Sequence, residues 1–173
     1  MVKRNYEQAF AKTNKTDAIL VVGEKKLHVN KALLSVHSAH FKTLFNSDSK
    51  EEIEIKDVNF EDFATLLSFV QLNPMKPTES NAELVLELAD RFELPAAKRH
   101  VELFFMGTTM MDSRKIEIGE KFKLSDLLEQ ALKNLENMKL QDFKNFRRSV
   151  QFKRLSDETK FKVLNILIDR IDN

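Results

Sequence analysis

Few side chains in this sequence could do chemistry, and their spacing points away from catalysis. His37 and His40 lie three residues apart with His28 upstream, a pattern that could turn two imidazoles toward one metal ion. A site of that kind needs three or four ligands in fixed geometry, and no matching carboxylate accompanies the histidines. They therefore read as partly buried helix residues, and no metal is expected. Cysteine is absent, which removes thiolate nucleophiles, zinc-thiolate sites and disulfides together. No glycine-rich phosphate loop, Ser-His-Asp order or nucleophile motif occurs. No catalytic residue, cofactor or small-molecule substrate is expected. Asp17 and Lys31 could meet across a hairpin, and they read as a partly buried structural ion pair. Lys144, Arg147, Arg148, Lys153 and Arg154 alternate with Phe146 and Phe152, which could grip single-stranded nucleic acid. The near-balance of 28 Lys and Arg against 27 Asp and Glu favours a solvated face over buried phenylalanines, so nucleic acid is not the expected partner.

The elements that must position these residues start between Asp17 and Phe45. Ala18 to Val22 is a β-branched run suited to a pleated surface. Gly23-Glu24-Lys25 supplies a turn, and Leu27-His28-Val29 returns as a second strand. Asn30 is placed to cap a helix carrying Leu33, Leu34 and His37. Ser38 breaks that helix, and Phe41, Leu44 and Phe45 continue on a second short one.

Asn46 to Lys50 is a cluster of turn formers. Ile53 and Ile55 then alternate with Glu52, Glu54 and Lys56, the period of a half-exposed strand. Asn59 can cap a helix with Phe60, Phe63, Leu66, Leu67 and Val70 on one face, and Pro74 and Pro77 stop it. Ser80 and Glu83 have the spacing of a capping box, ahead of a helix carrying Leu84, Leu86, Leu88, Ala89 and Phe92. Pro95 fits the first position of the next helix. An internal echo follows: Glu87 to Leu94 is matched by Glu117 to Leu124, and in each a Phe-x-Leu would form a tight corner between two helices. Phe104, Phe105, Met106, Met110 and Met111 form a soft apolar patch, read as packing between the two halves of the chain. Ser156 can cap a final helix with Phe161, Leu164, Ile168 and Ile171 as its apolar stripe.

A chain of 173 residues can hold one domain, or one domain with a helical extension. Gly107-Thr108-Thr109 is the best internal boundary, which predicts domains at 1–106 and 107–173. The amino terminus lacks the apolar run of a secretory leader, and no segment approaches the roughly 20 apolar residues of a membrane helix. An intracellular setting, cytoplasmic or nuclear, and no membrane partner are the expectation.

From Asp17-Ala18-Ile19-Leu20-Val21-Val22 through Leu27-His28-Val29-Asn30-Lys31-Ala32-Leu33-Leu34-Ser35 to Ser38 and Phe41, the sequence resembles a BTB/POZ domain. Specifically, it is similar to the BTB half of the nematode MATH–BTB (BATH) proteins. The resemblance continues through Glu54 to Val58, Phe63 to Leu67 and Leu86 to Phe92. It implies an α+β fold, a small β-sheet flanked by helices, followed by an all-helical BACK-like or 3-box extension. It also implies a homodimer, or a pairing with a related BTB protein, through Phe10, Asp17, Lys31, Leu33, Leu34, Val36 and His37. The segment before Asp17 is expected to pack across the partner subunit. A groove formed by Phe45, Asp48, Val70, Leu72 and Met75 would dock the amino-terminal domain of cullin-3, making the chain a substrate adaptor of a ubiquitin ligase. Cullin-binding BTB domains commonly carry an apolar-x-Glu motif before the third strand, and Phe45 to Lys50 departs from it. The alternative is an oligomerisation module without cullin binding.

Overall fold

The hairpin forms where the β-branched run puts it. A computed structural model describes residues 6–47 and 50–172, with side chains as far as Arg170. After one helical turn, α1 (Tyr6–Ala9), strand β1 (Ala18–Val22) pairs antiparallel with β2 (Lys25–Val29). Gly23 sits between them at φ 61°, a left-handed value that glycine adopts without a Cβ penalty. A third strand, β3 (Glu52–Glu54), joins the other edge of β1 in parallel, with Leu20 opposite Ile53, giving the order β2-β1-β3. The pleat sends Ala18, Leu20, Val22, Leu27, Val29 and Ile53 inward. Glu52 stays outside and forms an ion pair with Lys26.

Around this mixed sheet stand α2 (Lys31–His37), α3 (Ala39–Ser47), α4 (Phe60–Ser68), α5 (Ala82–Arg91) and α6 (Pro95–Met106). The chain divides into two compact units, Met1–Val101 and Glu102–Asn173, with the division inside α6. In the first unit the core is aromatic. Phe41 stacks on Phe92 with ring centroids 5.5 Å apart, and Phe63 tilts against Phe92 at 5.0 Å. Asn59 caps α4 as expected, its Oδ1 accepting from the amides of Glu61 and Asp62 at 2.8 and 3.2 Å.

The expected capping box at α5 does not form. Asn81 precedes the helix, and its Oδ1 is turned back to accept from the amide and hydroxyl of Thr78 at 2.8 and 2.9 Å. The buried face of α5 is Ala82, Val85, Leu86 and Ala89, the i, i+3, i+4, i+7 pattern, and Leu84 points to solvent. Both Phe-x-Leu corners exist. Glu93 and Lys123 take left-handed φ values of 48° and 56°. The amides of Leu94 and Leu124 bond the carbonyls of Ala89 and Gly119 at 2.9 and 2.7 Å, each closing a helix in a Schellman turn.

The second unit continues with α7 (Asp112–Lys121), α8 (Ser125–Leu135), α9 (Leu140–Arg148), α10 (Val150–Arg154) and α11 (Asp157–Asp172). Ile116, Ala131, Leu135, Phe143, Phe146 and Val163 belong to one buried cluster. Ser156 caps α11, its Oγ accepting from the Thr159 amide at 3.2 Å. The expected stripe on that helix is displaced. Phe161 and Ile168 are exposed, while Thr159, Val163 and Leu167, four residues apart, face the core; the side chain of Ile171 lies outside the described residues.

Charged side chains tie the ends of these helices. Glu102 Oε1 accepts from the amides of Asp126 and Leu127 at 2.9 and 3.1 Å, at the start of α8. Lys115 Nζ donates to the Thr108 carbonyl at 2.9 Å, just beyond the end of α6. Arg170 donates to the Leu135 carbonyl at 3.2 Å, at the end of α8. Anions at amino termini and cations at carboxyl termini match the helix dipole. Burial alone would raise the Glu120 carboxyl, but hydrogen bonds from Ser156 and Thr159 and the charge of Lys160 outweigh it and hold its pKa below the ordinary value.

Candidate interaction surface

Helix α2 is fixed at both ends. Asn30 is extended, and its Oδ1 accepts from the Leu33 amide at 2.7 Å while its amide group donates to the Lys15 carbonyl at 2.7 Å. Asp17 Oδ1 accepts from the backbone amide of Lys31 at 2.7 Å. The expected Asp17–Lys31 ion pair is thus replaced by a carboxylate on the helix amino terminus. Asp17 is exposed, and the Lys31 ammonium lies 5.9 Å from the centroid of the Phe45 ring. At the other end Ser38 is 2% exposed; its Oγ donates to the Phe92 carbonyl at 2.6 Å and accepts from the Phe41 amide at 3.0 Å. The sequence marked Ser38 as a helix break; only the fold supplies Phe92, 54 residues away, as the partner that fixes it.

With α2 so held, its two faces differ sharply. Leu34 is buried at 2%, whereas Leu33 is 38% and Val36 81% exposed, with His37 also at the surface. Phe10 is buried at 2%, and its carbonyl accepts from the His28 amide at 3.1 Å, so the segment before Asp17 folds along β2 of its own chain. Phe10 and Leu34 therefore support the surface from beneath. A half-enclosed cavity of about 190 Å³ brings Phe10, His28, Leu33, Leu34, Leu67 and Val70 together.

The other expected docking residues are spread out. Phe45 is half-buried against Phe41, with ring centroids 5.9 Å apart. Val70 lines the cavity next to α2, and Leu72 is 99% exposed after α4. The Met75 amide donates to Ser68 Oγ at 2.9 Å, pinning the loop that carries it. Asp48 lies outside the described residues. Among the described residues no three His, Asp or Glu side chains are grouped to hold a metal, and the His40 ring packs edge-on against Phe92 at 5.0 Å. No helix among them is long and apolar enough to cross a membrane. In the basic stretch Phe143 and Phe146 are buried, and Phe152 meets Phe146 edge-on at 5.7 Å.

One feature escaped the sequence. A groove of about 520 Å³ runs between α8 and α11, with Leu128, Leu132 and Ile166 on its floor. Ile166 lies off the stripe that the sequence marked on α11, so periodicity alone gave it no weight.

Known proteins are similar to this sequence over most of its length. The BTB/POZ domain family profile matches residues 6–109. BTB and MATH domain-containing protein 38 of Caenorhabditis elegans is 31% identical over 92% of this chain and 42% of its own length. BTB and MATH domain-containing protein 36 of the same organism is 31% identical over 94% of this chain and 52% of its own. The chain thus spans about half the length of the curated relatives it matches. Among solved structures, the BTB domain of human gigaxonin covers 60% of this chain and 96% of its own, at 20% identity and a TM-score of 0.47.

Proposed function

The chain belongs to the BTB/POZ domain family, and from that premise we propose that it self-associates and serves as a substrate adaptor of a cullin-3 ubiquitin ligase. BTB domains are protein–protein interaction modules, typically without catalytic activity. The observation that carries the self-association is the outer face of α2, where Leu33 and Val36 are exposed on a helix anchored by Leu34 and capped by Asn30 and Asp17. An apolar helix face of this kind suits a two-fold contact, in which the same patch meets itself. Cullin docking would rest on Phe45, Val70, Leu72 and Met75, with Asp48 following Phe45 in sequence. The BTB part, 1–106, would dimerise and dock, and 107–173 would form the helical extension. The work done is positioning: bringing substrate and ubiquitin donor into one assembly raises their effective concentration.

A second reading is an oligomerisation module that binds no cullin, and the missing apolar-x-Glu motif between Phe45 and Lys50 favours it. Losing one such anchor costs about 1–3 kcal/mol, enough to turn tight binding weak. Light scattering and calorimetry against the cullin-3 amino-terminal domain separate the readings. A dimer that binds with measurable heat supports the adaptor. A dimer giving no heat at high concentration leaves the second reading, and a strict monomer removes both. Val36→Glu is expected to shift the mass from dimer to monomer.

A further inference from the structure

Residues 139–154 hold six cations, Lys139, Lys144, Arg147, Arg148, Lys153 and Arg154, against one carboxylate, Asp142. The formal charge of the whole chain is only +1, so everything outside this strip is net negative. Several other cations of the second unit are held by partners. Arg114 pairs with Glu117, Lys160 with Asp157 at 3.2 Å and Lys162 with Glu158 at 2.7 Å, while Lys115 and Arg170 hold backbone carbonyls. Lys144, Arg147, Arg148 and Lys153 are exposed and have no ion-pair partner among the described residues. Arg154 comes within 3.5 Å of Glu117 yet stays 69% exposed.

Helix ends explain part of this pattern, since cations in a last turn interact favourably with the dipole. They do not explain Lys144, which lies one turn from both Arg147 and Arg148, where like charges repel. Helical spacing sets Leu140, Lys144 and Arg147 along one flank of α9, and Leu140 is 48% exposed. Phe143 at 0% and Phe146 at 5% exposure hold the other side of α9 in the core. The same burial removes the aromatic platforms on which single-stranded nucleic acid stacks. Leu140 and Val150 are the exposed large apolar residues of α9 and α10 among the described residues, too little to insert into a lipid surface. Guanidinium forks pair with carboxylates and phosphates alike, and with no aromatic platform for bases and little apolar surface for a membrane, the carboxylates of a protein segment fit the strip best.

We propose that the α9–α10 strip docks an acidic segment of a partner protein, a run of Asp and Glu with an apolar residue set against Leu140. The inference rests on the reading of this chain as a protein-recruiting module, and it adds a surface separate from α2. The test is fluorescence anisotropy of the full chain with a labelled peptide of alternating glutamate and leucine, at low and then rising salt. Saturable binding that weakens with salt is expected, with a loss of roughly tenfold or more in R147E/R148E. K12E/K15E makes the same charge change at the other end of the chain and is expected to stay within about twofold. K144E/K153E gives a second reading should the arginine variant melt early. Equal losses in K12E/K15E and R147E/R148E overturn the proposal. So does tighter binding of a charge-matched single-stranded RNA or of phosphatidylserine vesicles than of the peptide. A chain that self-associates and binds cullin but ignores the peptide refutes this inference alone.

Discussion

The corner between α5 and α6 and the corner between α7 and α8 share one backbone solution, yet they are held differently. In each, a Phe-x-Leu sequence closes a helix in a Schellman turn, with Glu93 or Lys123 left-handed and Leu94 or Leu124 folded back. The first corner is completed locally, because Pro95 opens α6 with its φ already set and no amide to satisfy. The second depends on distant groups. Glu102, buried at 6%, supplies the acceptor for the first amides of α8. Gly119 allows α8 to pack so closely that an added Cβ would lie 3.1 Å from the Leu128 backbone. A shared sequence motif thus specifies the turn, while the stability of the next helix depends on which neighbours the fold delivers.

The strongest way to break this contrast is Glu102→Ala. It strands two amides at the start of α8 and should cost about 3 kcal/mol, read as a lowered denaturant midpoint. Pro95→Ala in the first corner should cost about 1 kcal/mol or less. Next is Gly119→Ala, which forces α7 away from α8 and should cost about 1–3 kcal/mol. The matching change, Ala89→Gly, should cost only about 1 kcal/mol, through helix propensity. Equal losses at positions 89 and 119 would remove the distinction in packing. Smaller still, Glu93→Gly and Lys123→Gly each relieve a left-handed side chain, and each should change stability by about 1 kcal/mol or less in the favourable direction. Similar shifts would sharpen the equivalence of the two turns.

The mildest test is acid. Glu120 has a folded pKa below its ordinary value, so its contribution is complete above the ordinary carboxylate range and disappears as pH falls through the lowered value. Melting temperature measured from about pH 5 down to pH 3 should fall less steeply in Glu120→Gln than in the parent. An unchanged slope would show that the Ser156 cap does not depend on the carboxylate charge.

Much of the fold was legible in the sequence for local reasons. Asn30, Asn59 and Ser156 cap helices because a short side-chain oxygen reaches only the next few amides. The hairpin followed from β-branched residues around Gly23. The differences arose where several local solutions competed. Ser80 and Glu83 had the right spacing, but Asn81 was taken by Thr78. On α5 and α11 apolar residues occur on more than one face, and only packing selected Val85 over Leu84 and Val163 over Phe161. Of the residues the sequence offered for a contact surface, Leu33 and Val36 are exposed, whereas Phe10 and Leu34 are buried and Asp17 holds a backbone amide rather than the Lys31 ammonium.

The residue order by itself determined the hairpin, the helices of the first unit, the Asn30, Asn59 and Ser156 caps and the family, because those depend on chemistry within a few positions and on motifs that recur intact. Tertiary structure alone decided that β3 lies parallel to β1, that Ser38 bonds Phe92, and that Glu102 and Arg170 hold the two ends of α8. Those contacts join residues 24 or more positions apart, and no local preference can encode a partner that only the folded core brings within reach.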